Sequence, residues 1–259
     1  MNVTRPPALV TNDDGIDSEG LRQLAVAADD AGLGVVVAAP ATEASGSSAA
    51  MTAGHAEGRI VVKRRELVGL DQVPAYAVDA LPAFIAFTAA RGAFGSGPEL
   101  VLSGINRGPN TGRAIVHSGT AGAALTAATC DIRSVALSLD VRHPGGEPHW
   151  ETAVAVAAQV IAAAREMPPG VMLNVNVPNV LPGELRGIRC GRLASFGAVE
   201  LAVLATAEDH FQVTMADTSG EPEAGSDSAL LADGYASVTP LRPLCETSSS
   251  WLPWPAAET

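Results

Sequence analysis

Apolar and polar positions follow two alternating patterns over roughly the first 185 residues, short apolar runs and longer amphipathic segments. Ala8–Thr11 and Val35–Ala39 are nearly continuous apolar runs, which are typical of strands covered on both faces of a parallel sheet. Between them Leu21 and Leu24 recur at helical spacing, and Ser18 can cap the start of that helix. Strands that alternate with helices predict a doubly wound α/β fold with a mostly parallel sheet.

The same alternation continues to about residue 177. Further strands are predicted at Ile60–Lys63, Tyr76–Val78, Leu100–Ser103, Val135–Leu139 and Met172–Val177. Helices are predicted from Ser18 to about Ala31 and at Pro82–Arg91, Gly119–Ala128 and Trp150–Glu166.

The pattern changes after about Arg186, where strand-like runs follow one another without a predicted helix. These runs are Ile188–Leu193, Val199–Ala205, Phe211–Met215 and Ala236–Thr239. We predict one α/β domain over residues 1–259, with a core of about residues 1–185, a C-terminal antiparallel hairpin extension over about 186–245 and a Ser/Pro-rich tail at 246–259. An isolated hairpin is marginally stable in water, so the extension is expected to need a partner surface.

Composition and charge argue against several classes of protein. Of 259 residues, 47% are hydrophobic, which is enough for a buried core and excludes global disorder. The net charge of −12 disfavours binding to duplex nucleic acid. Apolar stretches are shorter than the roughly 20 residues of a membrane span, and the start shows no signal-peptide pattern. The three cysteines are scattered along the sequence, which disfavours a disulfide framework. We therefore expect a cytoplasmic protein without a membrane partner.

A pair of adjacent carboxylates follows the first predicted strand. Asn12, Asp13, Asp14 and Gly15 stand there in sequence. Two neighbouring carboxylates repel each other and tolerate that best with a cation between them. The alternative is an ordinary Asx turn that caps the following helix, and the residues themselves leave both interpretations open.

Two further polar clusters follow the second strand and the strand at 100–103. Pro40–Ser48 is rich in small hydroxyl residues, which either form a flexible linker or supply oxygens and N–H groups to a phosphate or metal. Ser103–Gly112 leads to Ser118, Gly119 and Thr120, which open a helix of small residues. A helix N-terminus can bind an anion, although a capped helix after a surface loop explains the same pattern. The Walker and dinucleotide-binding fingerprints are both missing.

Several blocks of this sequence resemble the SurE (survival protein E) family of metal-dependent 5′/3′-nucleotidases. The opening reads LVTNDDGIDSEGLRQL, and the later blocks, in the order of the family, are VVVAAPATEASGSS, LVLSGINRGPNTG, HSGTAGAAL, LNVNVP and GYASVTPL. The resemblance implies a Rossmann-like, SurE-like fold. It also implies a phosphoric monoester hydrolase that cleaves nucleoside 5′- or 3′-monophosphates, or related phosphate esters, through a metal-activated water.

The resemblance also implies a set of site residues. One divalent cation per subunit, Mg²⁺ or Mn²⁺, is expected to be bound by Asp13, Asp14, Ser45 and Asn106, with Asp13 and Asp14 as the catalytic carboxylates. Such an all-oxygen set suits these hard cations. The residues expected to bind the substrate phosphate are Asn12, Asn110, Ser118, Gly119 and Thr120.

Departures from the family pattern fall near the positions expected to meet the rest of the substrate. The loop before Ser45 is usually basic and amide-rich but reads Ala41–Ala44 here, residues 77–83 read AVDALPA, and His117 replaces a usual Tyr. One alternative is therefore a phosphatase for a non-nucleotide phosphate ester. A second is a non-catalytic nucleotide- or anion-binding protein. The resemblance further implies a small phosphorylated substrate and a homodimer or homotetramer.

Overall fold

A computed structural model describes residues 5–56, 59–141, 146–196, 199–206, 211–217 and 221–245. The helices are α1 (Glu19–Asp30), α2 (Pro82–Ala89), α3 (Gly119–Thr129), α4 (Trp150–Ala164) and α5 (Asp227–Ala232), with 3₁₀ helices at Gly112–His117 and Pro182–Glu184. The strands are β1 (Pro7–Thr11), β2 (Gly34–Pro40), β3 (His55–Ala56), β4 (Arg59–Ile60), β5 (Val62–Arg65), β6 (Ala75–Val78), β7 (Leu100–Arg107), β8 (Arg133–Asp140), β9 (Met172–Pro178), β10 (Ile188–Cys190), β11 (Val199–Thr206), β12 (Phe211–Asp217) and β13 (Ala236–Leu241).

Nine strands form one sheet in the order β10-β13-β9-β8-β7-β1-β2-β6-β5. The six strands from β9 to β6 are mutually parallel, while β5 and β13 each run antiparallel to the neighbouring strand of that group. β11 and β12 pair antiparallel in a separate two-stranded sheet. The predicted α/β fold, with a mostly parallel sheet and a C-terminal antiparallel hairpin, is confirmed.

Helices cover both faces of the sheet. Leu21 of α1 and Val156 of α4 are buried in one apolar core together with Val10 of β1. The neighbouring β1 residue, Leu9, is buried on the opposite face with Ile85 of α2. Successive side chains of a strand point to opposite faces, so this strand is apolar on both sides, as the continuous run at residues 8–11 predicts.

The C-terminal part differs from the prediction in two ways. β13 lies inside the nine-stranded sheet, between β9 and β10, so the sheet is not complete at residue 185. The prediction of strands without intervening helices is wrong, because α5 stands between β12 and β13. The six residues of α5 are too few to give a clear helical period. Its start is fixed by Ser226, whose Oγ accepts a hydrogen bond of 3.2 Å from the Ala229 N–H.

Two further observations complete the description of the fold. In the part of the chain that the structure describes, no helix combines the length and the hydropathy that crossing a membrane requires. The predicted tail at 246–259 lies outside the described residues.

Candidate metal and phosphate site

The loop after β1 and the loop after β2 are packed against each other at the carboxyl ends of their strands. The Ala44 N–H donates a hydrogen bond of 2.7 Å to the main-chain oxygen of Asp13, and the Ile16 N–H donates one of 2.9 Å to Pro40. Gly15 permits this packing, since its φ is +96° and a Cβ there would lie 3.3 Å from the Thr42 carbonyl carbon. The first and second polar clusters are therefore neighbours.

The first turn of α3 contacts the Asp13 side chain directly. The Thr120 hydroxyl donates a hydrogen bond to Asp13 Oδ1. A Cβ on Gly119 would lie 2.7 Å from Asp13 Oδ2 and 2.5 Å from Ser47 Oγ, so the close approach requires glycine. The Ser47 hydroxyl is buried and has no hydrogen-bond partner among the described residues. The third cluster thus meets the first two around Asp13.

Burial disfavours the charged forms of both acidic residues. Burial raises the pKa of Asp13, and hydrogen bonds from Thr120 and Gly119 oppose that increase in part. Burial, and then the charge of Asp13, raise the pKa of Asp14 to about 6, while a backbone hydrogen bond from Arg107 lowers it. A cation between the two carboxylates would stabilise the ionised pair.

β7 is longer than predicted and carries Asn106 next to Arg107, whose backbone forms a hydrogen bond with Asp14. β7 runs to Arg107, with a register shift between Gly104 and Asn106 where it pairs with β8. A Cβ on Gly104 would lie 2.2 Å from the Leu137 carbonyl oxygen, so glycine is needed at this irregularity. Asn106 Nδ2 donates a hydrogen bond of 2.8 Å to the Gly108 oxygen, which leaves Asn106 Oδ1 as the atom that can bind a cation.

Ser45 is the fourth predicted metal ligand. It directly follows Ala44, whose N–H donates a hydrogen bond to the Asp13 main-chain oxygen. The Ser45 hydroxyl donates a hydrogen bond of 2.8 Å to Glu43 Oε1. Within the described residues no group of three or more His, Cys, Asp or Glu side chains is placed to hold a metal. The predicted set combines the two carboxylates with the neutral oxygens of Ser45 and Asn106, and this all-oxygen donor chemistry fits Mg²⁺ or Mn²⁺.

Asn12 is fully buried and shapes the loop after β1. Its Nδ2 donates hydrogen bonds of 2.6 Å to Ser18 Oγ and 3.1 Å to the Gly15 oxygen, and its Oδ1 accepts one of 3.2 Å from the Gly15 N–H. The side chain thus holds Asp13 and Asp14 in place from behind, and a direct contact with phosphate stays a prediction.

Asn110 is held by two asparagines of β9 that the sequence analysis did not single out. Asn176 Oδ1 accepts a hydrogen bond of 2.7 Å from the Asn110 N–H, and Asn174 and Asn176 each donate one of 2.8 Å to the Asn110 oxygen. The Asn110 side chain donates a hydrogen bond of 2.9 Å to Ser138 Oγ. The signal in the sequence was two amides at i and i+2 of a strand, which place both side chains on one face.

A buried carboxylate holds the start of the 3₁₀ helix that precedes α3. Asp227 is fully buried, and its carboxylate accepts hydrogen bonds of 2.8 Å from the Gly112 N–H and 3.0 Å from the Ala194 N–H. These contacts join α5 to the loop that carries Asn110. No local pattern indicated this role, because the partners lie more than 30 residues away along the chain.

The residues that open α3 divide their hydrogen bonds between the helix and Asp13. Ser118 Oγ accepts a hydrogen bond of 3.0 Å from the Ala121 N–H and so caps the helix. Thr120 is fully buried against Asp13, whereas His117, at the end of the 3₁₀ helix, is exposed. The positively polarised end of α3 is thus directed at the acidic pair.

Comparison with known proteins identifies the family. The family model described as Survival protein SurE matches residues 8–198. The 5′-nucleotidase SurE of Hyphomonas neptunium is 34% identical over 243 residues, which cover 90% of this chain and 91% of that protein. The 5′-nucleotidase SurE 1 of Thermus thermophilus is 35% identical over 242 residues, 90% of each chain. The crystal structure of the SurE protein from Aquifex aeolicus superimposes with a TM-score of 0.77 at 30% identity, covering 96% of this chain and 97% of the other. The chain therefore belongs to the SurE family.

Proposed function

We propose that this protein is a divalent-metal-dependent phosphomonoesterase that hydrolyses nucleoside 5′- or 3′-monophosphates. The observation that carries the proposal is the contact of Asp13 with the first turn of α3 at the carboxyl end of β1, where the backbone of Arg107, at the end of the neighbouring β7, forms a hydrogen bond with Asp14. Ligands of open α/β sheets bind beyond these strand ends. Relatives named 5′-nucleotidase that match 90% of the chain support the same reaction class.

We assign the metal to Asp13, Asp14, Ser45 and Asn106, the ligand set that the family resemblance implies. These residues would hold Mg²⁺ or Mn²⁺, and the positive charge of the ion would polarise the phosphoryl group and lower the pKa of a water molecule. Asp13 is the carboxylate that we assign to orient the attacking water, because the Thr120 hydroxyl and the closely packed Gly119 hold it in one position. Phosphoryl transfer needs mainly positioning and charge stabilisation, which these residues supply.

The phosphate group would bind at the N-terminal end of α3. The helix dipole favours an anion there, as the backbone hydrogen bonds from Gly119 and Thr120 to the Asp13 carboxylate illustrate. The Asn110 main chain, whose N–H and oxygen are both held by asparagines of β9, would form a rigid second wall of the phosphate site. Rigid donors cost little reorganisation as charge develops in the transition state.

Turnover of p-nitrophenyl phosphate tests the proposed reaction. The protein saturated with Mn²⁺ should release p-nitrophenol, and removal of the metal with EDTA should reduce the rate by about 10²-fold or more, because the charge that stabilises the transition state is lost. Re-addition of Mn²⁺ should restore it. Equal rates before and after chelation would refute the metal dependence, and a complete lack of turnover would favour a protein that binds nucleotides or anions without catalysis.

A second candidate function is hydrolysis of a non-nucleotide phosphate ester, such as a sugar phosphate. The two segments that depart from the family pattern are in contact, since the Ala41 N–H donates a hydrogen bond of 2.9 Å to the Val78 oxygen. The segments at 41–44 and 77–83 therefore lie side by side, and the first of them leads directly to Ser45 along the chain. Measuring kcat/KM for a panel of nucleoside monophosphates and sugar phosphates separates the candidates, because the physiological class should be cleaved fastest at low concentration.

We also propose a homodimer or homotetramer whose contacts include the hairpin of β11 and β12. The hairpin forms a two-stranded sheet of its own, and such a pair needs a further surface to be stable in water. Light scattering on the intact chain at micromolar concentration should give an even-numbered assembly. Deletion of residues 199–215 should give monomers or insoluble protein, and a stable monomer of the intact chain would contradict the proposal.

A further inference from the structure

A third carboxylate, Glu43, belongs to the loop that follows β2, whose main chain packs against the loop that carries Asp13 and Asp14. Its Oε1 accepts a hydrogen bond of 2.8 Å from the hydroxyl of Ser45, one of the four ligands in the proposed metal site. Glu43 is exposed, so its carboxylate is not required to fill the core. The side chain instead forms a hydrogen bond with Ser45, a proposed metal ligand.

The main chain holds Glu43 close to the acidic pair. The next residue, Ala44, donates its N–H to the Asp13 oxygen at 2.7 Å. A Cβ on Gly15 would lie 3.4 Å from the Glu43 nitrogen. The residues on either side of Asp14 are thus in contact with the segment that carries Glu43, and this geometry is independent of the Ser45 hydrogen bond.

The carboxylate of Glu43 also contributes negative charge to this part of the protein. Because the Glu43 main chain packs against Gly15 and the next residue bonds the Asp13 oxygen, this charge adds to the negative potential of Asp13 and Asp14. Such a potential attracts a divalent cation.

We infer that Glu43 is a positioning residue of the metal centre, which orients the Ser45 hydroxyl and adds a third negative charge that strengthens divalent-cation binding. This inference rests on the proposed function, because it needs a cation bound by Asp13, Asp14, Ser45 and Asn106.

The Ser45 hydrogen bond has a direct chemical consequence. A hydroxyl carries one proton and two acceptor lone pairs. When Glu43 accepts the proton, the Ser45 oxygen presents its lone pairs to a cation, and the carboxylate makes that oxygen more electron-rich. Without Glu43 the hydroxyl rotates freely, and ordering it on metal binding costs entropy. Orientation and charge are therefore separable contributions.

Mn²⁺ affinity of the metal-free protein, measured by electron paramagnetic resonance of the free ion, tests both contributions without activity. Glu43→Gln keeps an acceptor for Ser45 but removes the charge, and should raise the Mn²⁺ Kd roughly fivefold at low salt. In 0.5 M KCl the Debye length is about 4 Å, so exposed charges are screened over short distances. The difference in Kd between Glu43→Gln and the wild type should therefore shrink. Glu43→Ala removes both contributions and should raise the Kd roughly tenfold or more.

A double-mutant cycle identifies the route of the effect. If Glu43 acts partly through Ser45, Glu43→Ala should weaken binding less in a Ser45→Ala background than in the wild type. Glu99→Gln is the matched control, because Glu99 is also exposed but precedes β7 at the opposite end of that strand from Asn106, and its Kd should equal that of the wild type.

The outcomes distinguish this inference from the proposed function. Normal Mn²⁺ binding by the wild type, with Kd values of Glu43→Gln and Glu43→Ala both equal to that of the wild type, would overturn the role of Glu43 and leave the metal-dependent phosphatase standing. A wild-type protein that does not bind Mn²⁺ would overturn both. A loss of affinity in Glu43→Ala that Glu43→Gln fully rescues, unchanged by salt, would overturn the contribution of charge.

Discussion

Replacing Asp13 or Asp14 with Asn should reduce phosphatase turnover by about 10²-fold or more while the fold stays intact. Each substitution removes one of the two anionic ligands proposed for the metal and keeps the size of the side chain. Asp13 should be the more sensitive position, because its carboxylate also accepts the Thr120 hydrogen bond. Turnover of p-nitrophenyl phosphate at saturating Mn²⁺ measures the effect, and near-normal rates in both variants would disprove the metal-centre assignment.

Stability of the metal-free protein provides the control for this prediction. The pKa of Asp14 rises from 3.8 to about 6 on folding, mainly through burial, so the folded chain binds more protons than the unfolded chain between these values. The free energy of unfolding should therefore fall as pH rises from about 4 to 6. At pH 7 the Asp14→Asn variant should unfold at a temperature equal to or above that of the metal-free wild type. A lower melting temperature would indicate that the lost turnover comes from misfolding.

Replacing Gly119 with Ala should reduce turnover by about tenfold or more and lower the free energy of unfolding by about 1–3 kcal/mol. The new Cβ would lie 2.7 Å from Asp13 Oδ2 and 2.5 Å from Ser47 Oγ. The first turn of α3 must then move away from the acidic pair, which displaces both the carboxylate and the phosphate site. Steady-state kinetics and thermal denaturation together measure the effect.

Gly183 offers a matched control for the Gly119 prediction. A Cβ on Gly183 would meet no atom within 4 Å, so Gly183→Ala should leave turnover and stability nearly unchanged. If Gly119→Ala behaved in the same way, the close contact between α3 and Asp13 would not exist in solution.

Local patterns in the sequence were sufficient for the parallel part of the fold and for the position of the site. β1, β2 and β7 read as apolar runs because both of their faces are buried. The three polar clusters each follow one of these strands, and the carboxyl ends of neighbouring parallel strands meet at one edge of the sheet. Asp13, Gly119 and Thr120 are accordingly in contact. The roles of Asn106 and Ser45 followed only from the family resemblance.

Interactions between distant segments could not be predicted from the sequence. The pairing of β13 with β9 joins residues about 60 positions apart, and a strand pattern does not identify its partner. Asp227 looked like one acidic residue among many, although its carboxylate binds two backbone N–H groups far away in the chain. The hydrogen bonds that the Asn12 amide makes within the loop after β1 were likewise not predicted, and its contact with phosphate stays a prediction.

Because β13 lies between β9 and β10, this part of the sheet can form only after residues 236–241 have been synthesised. During translation β9 emerges long before residues 236–241, so the edge of β9 that β13 finally covers has no partner while the intervening chain is made. An uncovered strand edge is a template for pairing between chains. Nascent chains that stall before residue 236 should therefore aggregate more readily than the full-length chain. Although β13 lies far along the chain from Asp13 and Asp14, its synthesis determines when the edge of β9 becomes protected.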